Sequence, residues 1–496
     1  MSEPPSEPVS QRLRDAPESQ DPAGSPGTAG SRRNAEARVD PAAPASVRSL
    51  LFGPGQRAVT TGIVLLITLV AFEGMGVGTA MPAVVADLGA VTLYAWPFVT
   101  FMAASVFGTV LGGRWCDLRG PRPALVVTPL VFGAGLLVAG TAGTMAQLLA
   151  GRVLQGAAAG GLTVAVFVLI SVVYPERARP AVFGLMSSAW VLPSLIGPPV
   201  AGLLTELLSW HWVFLALVPF VVLAVALVVP AVRRLDVSTV REPARRSAAV
   251  VTAALGAALG VSALSWAAQH ISVTAAVVTL AAVAALVPAL RRLTPAGVLR
   301  ARPGAPTVVA ARGLLAGSFF TVASYLPLML HETHGWSLTM AGIPLIAGSL
   351  CWAGASAWQG RHPDLARPVL LRIGFAGLAA GCLGHAVVAP TWGVPWLAVP
   401  LMMLAGAGMG LGFSSVSYLL LAQSGPGQVG FNTSAAQIVD QLTTATMIGL
   451  GGALLVLLGT PAAALPVLVL LVAVLPVTGV VIATRSAQAL DVAGPA

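Results

Sequence analysis

Three ionisable side chains sit far inside apolar runs: Glu73, Arg152 and Asp440. A charge at that depth is costly unless it faces protein or water, and such residues mark substrate or ion pathways. A carboxyl withdrawn from water favours its neutral form, so Glu73 and Asp440 can exchange protons at ordinary pH. The competing reading is a protonated or Arg-paired carboxyl that only holds helices together. Arg152 carries Gln155 one turn on, at a spacing that puts both on one helix face. Its competing reading is a side chain that snorkels to the membrane surface, since Arg152 lies only ~10 Å along its helix. Gln437 precedes Asp440 by the same three-residue step.

These residues must be positioned by membrane-spanning helices. Apolar residues make up 56% of the 496-residue chain and charged residues 9%, with a mean hydropathy of +0.86. That balance suits a bilayer rather than water. Fourteen apolar segments are expected, each near the ~20 residues needed to cross ~30 Å of hydrocarbon. Their approximate spans are 58–82, 93–113, 123–143, 145–173, 181–207, 212–232, 248–268 and 271–290. The remainder are 306–330, 338–358, 368–388, 395–421, 431–458 and 462–484.

All 27 basic residues are Arg, and the first 57 residues cancel, with seven Arg against seven acids. The +9 excess lies in alternate short connections, at Arg114, Arg119, Arg122, Arg177, Arg179, Arg233, Arg234, Arg291, Arg292, Arg361 and Arg367. The other connections lack Arg and carry Trp96, Trp210, Trp212, Trp266, Trp336, Trp392 and Trp396. The positive-inside rule then places both termini in the cytoplasm, with an aromatic belt opposite. It also accounts for the charge without nucleic acid as a partner. The expected location is the cell (plasma) membrane, with lipids as neighbours.

A charged turn, Gly113 to Arg122, recurs 247 positions later. Gly, Arg, Asp, Leu and Pro share the offsets 113/360, 114/361, 117/364, 118/365 and 121/368. Two copies at one spacing indicate a duplicated helical unit, a common transporter plan. The expected domains are a disordered tail at 1–57 and a six-helix bundle at 58–235. A linker with two extra helices follows at 236–303, then a second bundle at 304–485 and a tail at 486–496. In the extra hairpin, the Gly256-x-x-x-Gly260 spacing is expected to allow close packing on a neighbour.

The chain resembles the major facilitator superfamily, most of all its fourteen-helix drug:proton antiporter branch. Gly113, Asp117, Gly120 and Arg122 match the superfamily's Gly-x-x-x-Asp-Arg-x-Gly-Arg-Arg turn, with Arg119 one place displaced and Leu118 and Pro121 departing from it. The resemblance implies an inner gate in which Asp117 faces the positive end of the helix starting near 430–434. Arg152 to Gly156 resembles the fourth-helix Arg-x-x-Gln-Gly motif. Gly184, Gly197, Pro198 and Gly202 match the antiporter motif of the fifth helix, where Pro193 and Ala201 replace glycines. Trp210-His211-Trp212-Val213-Phe214 resembles Trp-Arg-Trp-x-Phe, and Glu73 takes the acidic position nine residues before Pro82.

The implied fold is an all-α integral membrane bundle: two six-helix halves plus a central two-helix insertion. The implied function is proton-coupled efflux of small amphipathic or cationic compounds by alternating access. A natural product or lipid precursor as cargo stays open, as do import and, in a different class, a receptor or scaffold that transports nothing. The proton gradient would be the energy source, with no cofactor. Cys116, Cys351 and Cys382 have neither metal-ligand nor disulfide spacing. His331, Glu332 and His334 read as a solvated cap rather than a metal site. No nucleophile elbow, phosphate-cradling loop or HExxH motif points to an enzyme.

Overall fold

The computed structural model describes residues 52–53, 57–174, 179–233, 248–425 and 427–486. Most of the expected N-terminal tail, the connections bearing Arg177, Arg234, Arg241, Arg245 and Arg246, and the tail from 487 lie outside the described residues. The described residues form helices and no strands, with fourteen helices of membrane-crossing length and hydropathy. We number them α1 (Arg57–Asp87), α2 (Trp96–Arg119), α3 (Pro121–Gly140), α4 (Met145–Val173), α5 (Arg179–Leu207), α6 (Val218–Arg233) and α7 (Ala248–Ala267). There follow α8 (Val273–Leu293), α9 (Ala305–Leu328), α10 (Ile343–Gly360), α11 (Arg367–Val388), α12 (Ala398–Ala422), α13 (Val429–Leu458) and α14 (Pro461–Ile482).

Packing repeats as the charged turn does. In the first half α2 and α3 pack on α4, α1 packs on α5, and α6 on α1 and α3. Adding eight to each label gives the second half: α10 and α11 pack on α12, α9 on α13, and α14 on α9 and α11. Small residues allow these approaches, because a missing side chain lets two backbones touch. A Cβ on Gly112 would stand 2.6 Å from Gly161 Cα, and one on Gly374 only 2.7 Å from Gly408 O. The halves meet along α1–α9, α2–α13 and α5–α10.

Two expectations need correction. The charged segment is not a turn throughout: α2 stays helical through Arg119, because polar residues at a helix end leave backbone hydrogen bonding intact. The chain breaks only at Gly120, which takes φ 73 with Pro121 opening α3. Positive φ suits glycine, and proline suits a first helical turn that needs no N–H. The Gly256–Gly260 pair does not act as a unit. Gly260 packs on α8, where an added Cβ would lie 2.8 Å from Leu286 Cγ, whereas a Cβ on Gly256 would meet nothing within 4 Å among the described residues.

α7 packs on α2 and α13, one from each half, and α8 packs on α7. The two ends of the bundle differ. Two residue pairs bond the halves towards the tryptophan end. Tyr94 Oη donates to Ser324 O (2.7 Å), and Glu206 accepts from Thr339 N (3.0 Å) and Thr339 Oγ1 (2.9 Å). Gln441 Nε2 donates to Ser105 Oγ (3.0 Å) near mid-depth. At the charged-turn end Val429, Gly430 and Phe431 are exposed, and no described residue comes within 4 Å of a Cβ on Gly430. The arrangement is closed at the tryptophan end.

Candidate functional site

Thr144 starts α4, its side chain accepting from Gln147 N at 3.2 Å. This is an N-cap, which satisfies one of the helix's free amides. That start fixes Arg152 two turns inside the bundle, facing α1 and α2. Arg152 is buried, pairs with Glu73 Oε1, donates from Nε to Pro97 O (3.0 Å) and from Nη1 to Gln155 Oε1 (2.7 Å), and lies 4.4 Å over the Phe101 ring. This guanidinium does not snorkel. Its planar fork is occupied on several sides, a use of arginine that lysine cannot reproduce. Glu73 Oε2 and Gln155 Nε2 are buried without a hydrogen-bond partner among the described residues. An acceptor and a donor thus flank the pair in a site where each unpaired group costs about 1–3 kcal/mol.

Asp440 does not join this cluster. Arg312 of α9 donates from Nε to Asp440 Oδ2 (3.0 Å) and stacks 3.7 Å over the Phe413 ring. This second pair is less sealed, with side chains 14% and 12% exposed against 3% and 0% for Arg152 and Glu73. Gln437, one turn before Asp440, is half-buried. Sequence reasoning missed Arg312, although it sits seven residues inside an apolar helix and carries the same signal as Arg152.

The antiporter-motif positions lie on a seam. A Cβ on Gly197 would meet Met75 Cβ of α1 at 3.4 Å, and one on Gly202 would stand 2.7 Å from Thr339 Cα in the second half. Pro198 abuts Gly342, and Pro193 is buried within α5. The surroundings of Gly184 lie outside the described residues. Of the gate candidates, Gly113, Asp117 and Arg119 occupy the last turns of α2, Gly120 makes the break, and Arg122 is exposed at the start of α3. Trp210 is pinned at the opposite end, donating to Asp87 Oδ2 (2.9 Å) and stacking on His211 at 3.7 Å. His331 and His334 each bond a carbonyl, of Trp336 (2.8 Å) and Val388 (2.7 Å), and so serve different segments.

Fourteen membrane-length helices among the described residues, in two repeated halves with an ion pair inside each, are the plan of a multi-pass membrane protein. The chain belongs to the Major Facilitator Superfamily, whose model matches residues 63–447. Among curated relatives, Multidrug resistance protein 3 of Bacillus subtilis (strain 168) is 33% identical over 161 residues, 32% of this chain and 31% of that protein. The Acurin A biosynthesis cluster MFS-type transporter of Aspergillus aculeatus (strain ATCC 16872 / CBS 172.66 / WB 5094) is 31% identical over 33% of this chain and 30% of its own. MFS-type transporter ppz2 of Metarhizium majus (strain ARSEF 297) is 24% identical, over 77% of this chain and 68% of its own. The chain thus spans about a third of the length of the first two. Among solved structures, a POT family transporter superposes with a TM-score of 0.65 at 13% identity, covering 87% of this chain and 96% of that one. A D-xylose-proton symporter gives 0.61 at 14% identity, over 86% and 97%. At those identities the likeness is one of fold.

Proposed function

We propose that the protein is a proton-coupled antiporter that exports small amphipathic or cationic compounds across the plasma membrane, its termini in the cytoplasm. One observation carries this reading: the sealed Glu73–Arg152 pair whose guanidinium also holds Pro97 O. Pro97 lies in the first turn of α2, beside the tryptophan-end seam where Tyr94 reaches Ser324. Protonating Glu73 removes the charge that holds Arg152, and Arg152 is the link to α2. A proton taken up at Glu73 is thereby converted into a change at the seam, which is the differential interaction that alternating access needs.

The two six-helix halves would move as bodies about the three contact lines. In the opposite state the charged-turn end closes and brings Asp117 to the start of α13, where a carboxylate suits the positive helix end. The less sealed Arg312–Asp440 pair, with Gln437 beside it, suits a cationic substrate group competing with Arg312 for Asp440. Export rests on the antiporter-motif positions in α5 and on the relative named for multidrug resistance. A biosynthetic product is the second reading, favoured by the relative named for the Acurin A cluster.

Proteoliposome transport tests the coupling. Glu73→Gln is expected to insert normally and to abolish substrate-induced proton movement, with Glu73→Asp keeping part of it. Proton-coupled transport equal to the parent in the Gln variant would remove Glu73 from the mechanism.

A further inference from the structure

The inserted hairpin ends at the tryptophan end in a turn that carries Gln269, 8% exposed. Gln269 Oε1 accepts from Trp96 Nε1 (3.2 Å), the residue before Pro97. Its Nε2 has no hydrogen-bond partner among the described residues, and lies 3.2 Å from where a Cβ of Gly452 would stand. One turn back, Ser265 fills the space a Cβ on Gly449 would need. Ala95, on α2's approach, fills the space at Gly452 from the other side, 2.6 Å from that built Cβ. The hairpin tip therefore touches α2 and α13 together, at the level where the halves are closed.

We propose that Gln269 is a positioning residue of the transport cycle. Through Trp96 it holds the first turn of α2 in the register that presents the Pro97 carbonyl to Arg152, and so couples the inserted hairpin to the Glu73 pair. The hold rests on the contacts above; its effect on coupling rests on the reading of Glu73 as the proton carrier. The geometry is a short relay of bonded neighbours, Gln269 to Trp96, the adjoining Pro97, then Arg152 and Glu73. A hairpin that merely filled lipid-facing surface would have no reason to bury a carboxamide with one donor unpaired, because apolar packing avoids that penalty. The unpaired Nε2 faces α13, so separation of α2 from α13 offers it a water or carbonyl partner that the closed state withholds.

The test uses the full-length protein in membranes, with Cys116, Cys351 and Cys382 replaced by alanine and a reporter Ser324→Cys at the seam. Gln269→Met keeps the volume and removes the acceptor; Trp96→Phe removes the donor. Each is expected to raise alkylation of the reporter about two- to tenfold, the range a net hydrogen bond supports. The double variant should be no worse than either single one. Leu280→Ala, on the exposed face of α8, should change nothing. The readout that a structural contact would not move is the cycle with Glu73→Gln, since separated independent sites add. Non-additive labelling supports the relay. Unchanged labelling in both Gln269→Met and Trp96→Phe, or strict additivity with Glu73→Gln, overturns it. Proton flux in Glu73→Gln is read separately. A variant that still couples protons sinks the coupling reading, whereas loss of coupling with silent Gln269 variants sinks only the relay.

Discussion

Replacing Arg152 by lysine is the sharpest probe of the buried site. The structure gives the guanidinium four engagements: Glu73, Gln155, the Pro97 carbonyl and the Phe101 ring. A single ammonium can reach the carboxylate and the carboxamide, but not also the Pro97 carbonyl and the ring. The lost hydrogen bond to a charged donor corresponds to about 1.5–3 kcal/mol, and the ring contact to about 0.5–2 kcal/mol. Even the low ends, roughly 2 kcal/mol together, exceed a tenfold change in an equilibrium constant. Arg152→Lys is therefore expected to express like the parent and lose at least nine-tenths of substrate efflux, measured in loaded cells at matched protein levels. Parent-like efflux would refute the reasoning and return Arg152 to a charge that needs only to be positive. Arg152→Ala is expected to be worse in a different way. It strands Glu73, and breaking a buried pair from one side costs about 3–5 kcal/mol. Adding Glu73→Gln to Arg152→Ala should therefore recover protein yield and melting temperature without recovering transport.

Other outcomes follow from the same contacts. Gly202→Val drives a side chain towards Thr339 Cα, 2.7 Å from the nearest Cβ position, and should increase alkylation at the tryptophan end while efflux falls. Glu206→Gln weakens both bonds to Thr339 and should shift labelling the same way, by only a few-fold. Asp440→Asn leaves Arg312 against Phe413 without its counter-charge, and should weaken binding of a cationic substrate more than that of a neutral one in direct binding assays. Trp210→Phe removes the bond to Asp87, and a bond to a charged acceptor contributes about 1.5–3 kcal/mol. It should lower the melting temperature in detergent with little change in transport per folded molecule.

The number of membrane-length helices was legible because a bilayer demands long apolar stretches and punctuates them with charge. The Glu73 and Arg152 positions were legible for the same reason, as charges where charge is expensive. Their pairing was only guessable, since sequence spacing says nothing about which helices adjoin. Asp440 shows the limit. Its partner Arg312 lies 128 positions away, and no spacing in the sequence links the two. At Gly113 to Arg119 the fall in hydropathy marks the end of the hydrocarbon, not the end of the helix. Hydropathy reports the solvent; the backbone reports its own hydrogen bonds, and the break came only where Gly120 and Pro121 required it.

The single hydrogen bond between Gln441 and Ser105 has a mechanical consequence. It joins the halves part-way along α2. With a rise of about 1.5 Å per residue, Ser105 stands about 13 Å of helix from Trp96 and about 18 Å from Asp117. A stiff helix pinned at that point is a lever with unequal arms. Each ångström by which the tryptophan end opens sweeps the charged-turn end inwards by about 1.3 Å, the ratio of those lengths. In the alternating-access cycle proposed above, the two ends would then need no separate clock: one pivot would set their order, and both could not swing open about it at once.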